Sequence, residues 1–299
     1  MNRFIQILFS FLFLVFSLSS CSSPEDTPYQ KEIKEWHKER VDRLTEPTGW
    51  LSLAGLHWLE MGENTFGKSA ENKITFKVAE APEVIGSYFW EGDKIIFKSA
   101  EGVNVISDSS VVTDIEVFAD VTGKPTLLEW GTLSWFIIKR GEKYGIRLRD
   151  TANPNLANFE GIEMYDIDPA WRVEAQYVAF ENPKKIAIPN ILGMIDEEDS
   201  FGELQFRIED KNYSLATTGK TTPYFIIFAD MTNGRETYGA GRFMVVEGAD
   251  STGKTYIDFN KAYNPPCGFT KYATCPLPPE ENKLRVEITA GEHAYHGAH

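Results

Sequence analysis

The sequence predicts a mainly β fold in which an N-terminal amphipathic helix precedes two packed antiparallel β lobes. Three observations carry this reading. Between Tyr29 and Leu44, the positions Ile33, Trp36, Arg40, Val41 and Leu44 recur at three- and four-residue spacing, which is one face of a helix. Pro47 and Gly49 then end it. Beyond Trp50 the chain breaks into short β-rich runs, among them 94–98, 135–139, 225–229 and 243–246, separated by Gly, Asn, Asp and Pro about every ten residues. A cluster of turn formers over 153–168 separates a sandwich-like first lobe from a second lobe that reads as a β-barrel or sandwich.

The leading segment has a cationic start at Arg3, an apolar stretch from Phe4 to Leu18, and Leu18-Ser19-Ser20-Cys21 at its end. This is the pattern of a lipoprotein signal peptide, with an apolar run too short to span a bilayer comfortably; the competing reading is an uncleaved anchor. The expected organisation is a signal peptide over 1–20, a lipidated tether and helix over 21–46, a first lobe over 47–160, a second over 161–292, and a tail over 293–299. Lipid on Cys21 would make the membrane a partner and place the domain in the cell envelope, on the periplasmic or the surface face. The polar stretch 22–28 is a spacer, in which Glu25 and Asp26 hint at surface export. The formal net charge is −14, and becomes −15 once the leader with Arg3 is removed. Such a surface repels phosphate backbones, so nucleic acid is not an expected partner.

Residues 248–255, Gly-Ala-Asp-Ser-Thr-Gly-Lys-Thr, match the phosphate-binding loop pattern in full. That chemistry needs a helix after the loop, whereas 256–260 alternate like a strand and Pro265-Pro266 forbid a helix soon after. The segment therefore reads as a hairpin loop. With the turn near Ser251, Arg242 would lie across from Asn260, and period-two alternation would bring Arg242, Asp258 and Asn260 onto one face. Such a cluster is either a surface ion pair or an oriented carboxylate and amide in a pocket. The following stretch, 262–279, is a proline-stiffened loop carrying Cys267 and Cys275. An oxidising compartment favours a disulfide between them; two buried thiols, or a metal or nucleophilic site, are the alternatives.

The sequence contains no Gly-x-Ser-x-Gly elbow, His-Glu-x-x-His or Cys-x-x-Cys. His57 sits in an apolar run and reads as a packed histidine. The eight-residue cysteine spacing and the C-terminal position of His293, His296 and His299 speak against zinc, and no cofactor is expected. Asp168-Pro169-Ala170-Trp171-Arg172 reads as a capped turn entering a strand.

In the first lobe, Gly62 to Lys68 and Gly145 to Leu148 resemble the forkhead-associated type of β-sandwich. Lys68 stands where that family usually has arginine, and its serine-histidine loop is missing, so the resemblance implies the sandwich and not phosphopeptide binding. More extensively, Gly49-Trp50-Leu51, Asp168 to Arg172, Tyr238 to Phe243, Asp258 through Pro279, Asn282 and Ala290-Gly291-Glu292 closely resemble the family known as domain of unknown function 1684. That resemblance implies that Arg242, Asp258, Asn260, Tyr263, Asn264, Cys267, Cys275, Asn282 and Glu292 occupy signature positions, and leaves activity open. Three functions follow: a binder of a small polar or carbohydrate-like ligand in a second-lobe pocket, a hydrolase using Asp258 and Glu292 as acid and base, and a structural or assembly protein without a small-molecule site.

Overall fold

A computed structural model describes residues 25–78, 80–219 and 222–297. Cys21 and His299 lie outside them. The N-terminal helix, Pro28–Thr45, begins in a capping box: Thr27 Oγ1 accepts from Gln30 N, and Gln30 Oε1 accepts from Thr27 N. Pro28 follows at the first helical position, where its missing N–H costs nothing. Beyond the helix, Gly49 N donates to Glu46 O, and the turn is so tight that a Cβ at Gly49 would strike the Leu44 carbonyl.

A sandwich follows. One sheet runs in the order Leu53–Trp58, Lys143–Asp150, Leu133–Arg140, Leu128–Trp130, Val105–Ser107, Ser110–Val112. The other runs Ile74–Thr75, Gly62–Gly67, Gly86–Glu91, Lys94–Ser99, Asp114–Glu116. Alternate residues of both interlock in a core around Phe66, Tyr88, Phe97, Trp135, Ile146 and Leu148. At its centre the one polar pair is closed, with Trp135 Nε1 donating to Tyr88 OH at 2.9 Å. His57 is half-buried and stacks on Phe76 with ring centroids 5.2 Å apart, and burial lowers its pKa. It is a packing residue.

The second half is built on a long hairpin, Arg172–Pro189 with Ile195–Ile208, whose register slips between Ala179 and Lys184. Lys211–Ala216 and Lys254–Asp258 extend it on either side to four strands. Against this sheet lies a two-stranded ribbon, Tyr224–Phe228 with Arg242–Val246. Tyr224, Ile226, Phe228, Met244 and Val246 face the sheet, while Phe225, Ile227 and Phe243 point the other way, under the proline-cysteine segment. The fold is therefore mainly β with an N-terminal helix.

The hairpin expected around Ser251 does not form. Arg242–Val246 pairs with Tyr224–Phe228, whereas Lys254–Asp258 pairs with Arg172–Gln176, so consecutive strands belong to opposing sheets. The 248–253 loop is a corner between them, held by Asp250, whose Oδ1 accepts from Thr252 N and Lys254 N. A strand and not a helix follows it, as the sequence indicated.

Tyr88→Phe keeps the ring and strands the Trp135 N–H in the core. We expect a loss of about 1–3 kcal/mol in urea unfolding, the cost of an unpaired buried donor.

Candidate functional site

The crossing of strands separates Arg242 from Asp258 and Asn260, which stay together. Arg242 is wholly buried in the second core, over the Phe228 ring. Its Nη2 donates to Asp230 Oδ2 at 2.7 Å and to Ile288 O at 3.0 Å, and its Nη1 to Ala290 O. Asp230 is saturated in turn by Thr232 and the Ile288 N–H. Asn282 is likewise buried and ties two strands together, accepting from Ala216 N and donating to Ala216 O and Ile227 O.

The remaining signature residues meet beneath the N-terminal helix. Asp258 accepts from Tyr29 OH at 2.9 Å and from Asn260 N, and Asn260 donates from Nδ2 to Tyr29 OH and to Asp168 O. Burial and the Asp258 carboxylate push the Tyr29 hydroxyl pKa up. Asp168 caps the turn into the 172 strand by accepting from Ala170 N. About two to three helical turns further along, Arg40 Nε lies 2.9 Å from Glu292 Oε1, and His37 Nε2 lies 3.6 Å from the same oxygen. Neither nitrogen is aligned for a hydrogen bond, and the Arg40 contact is an ion pair. Glu292 Oε2 accepts from Asn264 N, Asn264 O accepts from Arg40 Nη2, and the Arg40 guanidinium stacks 4.4 Å above the Tyr263 ring. Gly291, at φ +80°, lets this segment pass against the Ala262 carbonyl, where a Cβ would collide.

Tyr29 and Arg40 stand eleven residues apart on the helix, about 16 Å at ~1.5 Å per residue. Asp258 and Glu292 are thus pinned to separate points of it, and Glu292 is fully buried. The acid and base pair considered from the sequence would have to work with Glu292 closed off from solvent and held by Arg40.

Cys267 and Cys275 are adjacent free thiols and not the expected disulfide. The Cys275 sulfur is engaged by hydrogen bonds, accepting from Cys267 N at 3.0 Å. The Cys267 sulfur beside it, and next burial, raise the Cys275 pKa; the Cys275 side chain lowers that of Cys267, against burial. The loop is braced by the hairpin tip, through Ile191 N to Cys275 O and Leu277 N to Pro189 O.

One arrangement leaves a buried group without its counter-charge. Ile146 and Leu148 enter the first core, so Arg147 and Arg149 project from the opposite face of that sheet. That face is covered by Trp50 and the proline-cysteine loop. Arg147 is only 5% exposed, with its guanidinium carbon 5.4 Å over the Trp50 ring. Arg147 Nη2 and Arg140 Nε both donate to Thr274 Oγ1, at 3.3 and 3.1 Å. Asp120 pairs with Arg140, at 2.8 Å. Among the described residues no carboxylate lies within ion-pair distance of Arg147 or Arg149, and the buried Nε of each has no partner. Burial, and next the Arg140 charge, push the Arg147 pKa down to about 10, which leaves it cationic at neutral pH. Arg140, Arg147, Thr274 and Cys275 line a cavity of about 220 Å³ whose other walls include Trp50 and Phe243.

The second half of the chain, 157–293, matches a family model. The model is that of the family described as protein of unknown function (DUF1684), to which this stretch is similar. The DUF1684 segment contains every signature residue discussed above, while the helix that docks on them precedes it. No curated protein matches the sequence. The solution NMR structure of an uncharacterized protein of Haloarcula marismortui is similar, at 28% identity over 47% of this chain and 80% of that one, with a TM-score of 0.39. A crystal structure of the FhaA FHA domain in a complex shares 13% identity over 31% of this chain and 97% of that one, with a TM-score of 0.22. A second FHA structure shares 12% identity over 31% and 88%, with a TM-score of 0.23. At these scores the sheet architecture rests on the strand pairing alone.

Sequence reading missed Arg140, Arg147 and Thr274. The alternation Ile146-Arg147-Leu148-Arg149 looks like an ordinary solvent face, and nothing local announces that another part of the chain covers it. Among the described residues no group of His, Cys, Asp and Glu could hold a metal ion, and His293 packs at a tilt on Tyr165 with ring centroids 4.0 Å apart.

Arg40→Met keeps the apolar stem and removes the cation closest to buried Glu292. We expect a loss of about 3–5 kcal/mol in chemical unfolding. Hydrogen exchange should rise first across 28–45.

Proposed function

We propose that this chain is an envelope lipoprotein, anchored by lipid on Cys21, that binds a small anionic ligand at Arg147. The observation that carries the ligand reading is the surplus of positive charge around buried Arg147: Arg140 and Arg147 share the Thr274 hydroxyl, and the one carboxylate at hand, Asp120, pairs with Arg140 alone, in a chain whose net charge is −14. Leaving a buried cation unpaired costs several kcal/mol, and a bound anion supplies the missing partner. The Arg147 fork suits a carboxylate or phosphate oxygen pair. The polar-ligand expectation is thereby moved from the Asp258 neighbourhood, where hydrogen bonds are mutually satisfied, to the cavity beside Thr274 and Cys275. A catalytic role has no comparable support, since no nucleophile paired with a general base lines that cavity.

Arg147→Met removes the charge and leaves a stem of similar length. Thermal shift of the wild-type protein should rise with a panel of carboxylate and phosphate salts at constant ionic strength, and the variant should lose that response. A wild type indifferent to every anion in the panel, together with a variant of equal or higher Tm, would sink the reading. The anchor is checked separately: Cys21→Ala should abolish metabolic labelling with palmitate and move the protein from the membrane pellet to the soluble fraction.

A further inference from the structure

Resting on the anion reading, the cavity's walls narrow the ligand further. Besides its arginines, the compartment is lined by Trp50, Phe225, Phe243, Pro266 and Pro276. Its volume of about 220 Å³ corresponds to roughly seven waters at ~30 Å³ each. That admits one ring bearing an acid group and is too small for a disaccharide. A second compartment of about 360 Å³ shares four of those walls, Trp50, Phe225, Phe243 and Pro266. It is also lined by Trp36 and Tyr263, with Val245, 45% exposed, among its residues. Arg40 and Arg43 line it as well, paired with Glu292 and Glu39. The cation without a carboxylate partner among the described residues, Arg147, thus lies at one end, with aromatic rings lining the passage between the compartments.

We infer that the ligand is a monoanionic aromatic acid: its carboxylate meets Arg147 and Arg140, its ring packs between Trp50 and Phe243, and an apolar extension runs past Phe225 toward Val245. The physical grounds are additive. A planar apolar body gains from burial against aromatic faces, and bidentate contact to guanidinium fixes the acid end. Inorganic phosphate or acetate would satisfy the charge and leave the aromatic walls unfilled, while a neutral ring would fill the walls and leave Arg147 unpaired.

The test is isothermal titration of the detergent-solubilised full-length protein with benzoate, acetate, inorganic phosphate, benzyl alcohol and biphenyl-4-carboxylate. The inference expects benzoate to bind at least tenfold tighter than acetate, phosphate and benzyl alcohol, and biphenyl-4-carboxylate at least threefold tighter than benzoate. Arg147→Met should erase the preference for benzoate over benzyl alcohol. Val245→Asn, at an exposed position, should remove the gain from the second ring and leave benzoate unchanged. Acetate and phosphate binding as tightly as benzoate, with Arg147 required, would overturn the aromatic class and leave the anion reading standing. Benzyl alcohol matching benzoate would overturn both, as would the failure of every probe. The benzoate and benzyl alcohol comparison needs no variant, so a misfolded Arg147→Met leaves the test decisive.

Discussion

A two-stranded ribbon is marginal in water unless both faces are covered, and the second half of this chain is arranged to cover the one formed by Tyr224–Phe228 and Arg242–Val246. The four-stranded sheet takes one face, where Phe259, Phe206 and Leu204 meet Ile226, Phe228 and Met244. The other face receives the proline-cysteine segment, with Cys275 and Ala273 packed on Ile227 and Phe243. Period-two alternation decides which side chain goes where. It also sends Arg242 inward with Met244 and Val246, which is why that arginine needs Asp230 and two backbone carbonyls inside the core. Such a buried ion pair is strongly destabilising to break, whatever its net worth.

The same covering creates the cavity. Proline removes donors and fixes the backbone, so the 264–279 loop cannot relax into a sheet over the ribbon's outer face. It bridges instead to the outer face of the first sandwich, where Thr274 touches Arg140 and Arg147. Gaps between rigid surfaces are where concave sites arise. Here the gap carries aromatic walls from the ribbon and cations from the sandwich, a combination that neither part has alone.

Elements with strong periodicity were legible in the sequence. The helix face of Ile33, Trp36, Arg40 and Leu44 is the face that docks, and the runs near 94, 135, 225 and 243 are strands. Strand partnership was not, because a loop length compatible with a hairpin is also compatible with a corner between sheets. Asp250 satisfies that corner locally without specifying what the flanking strands pair with. The site was misplaced for a related reason. Asn, Tyr, Arg and carboxylate groups crowd the 242–292 region, yet Asp258 and Asn260 are engaged by Tyr29 and each other, and Glu292 and the Asn264 backbone by Arg40 and each other. Residue types cannot distinguish a cluster that awaits a ligand from one already filled by a helix a couple of hundred positions upstream.

Docking of that helix also has a mechanical meaning. Because Tyr29 is hydrogen-bonded to Asp258, the body of the protein begins almost at the first turn, and six residues, seven Cα-to-Cα steps, separate Tyr29's neighbour Pro28 from Cys21. Fully stretched at ~3.5 Å per residue, that leash reaches about 25 Å. With Cys21 held in a bilayer, as proposed, the domain would be confined to a thin layer above the lipid headgroups, and anything it captures would be released within molecular distance of the membrane.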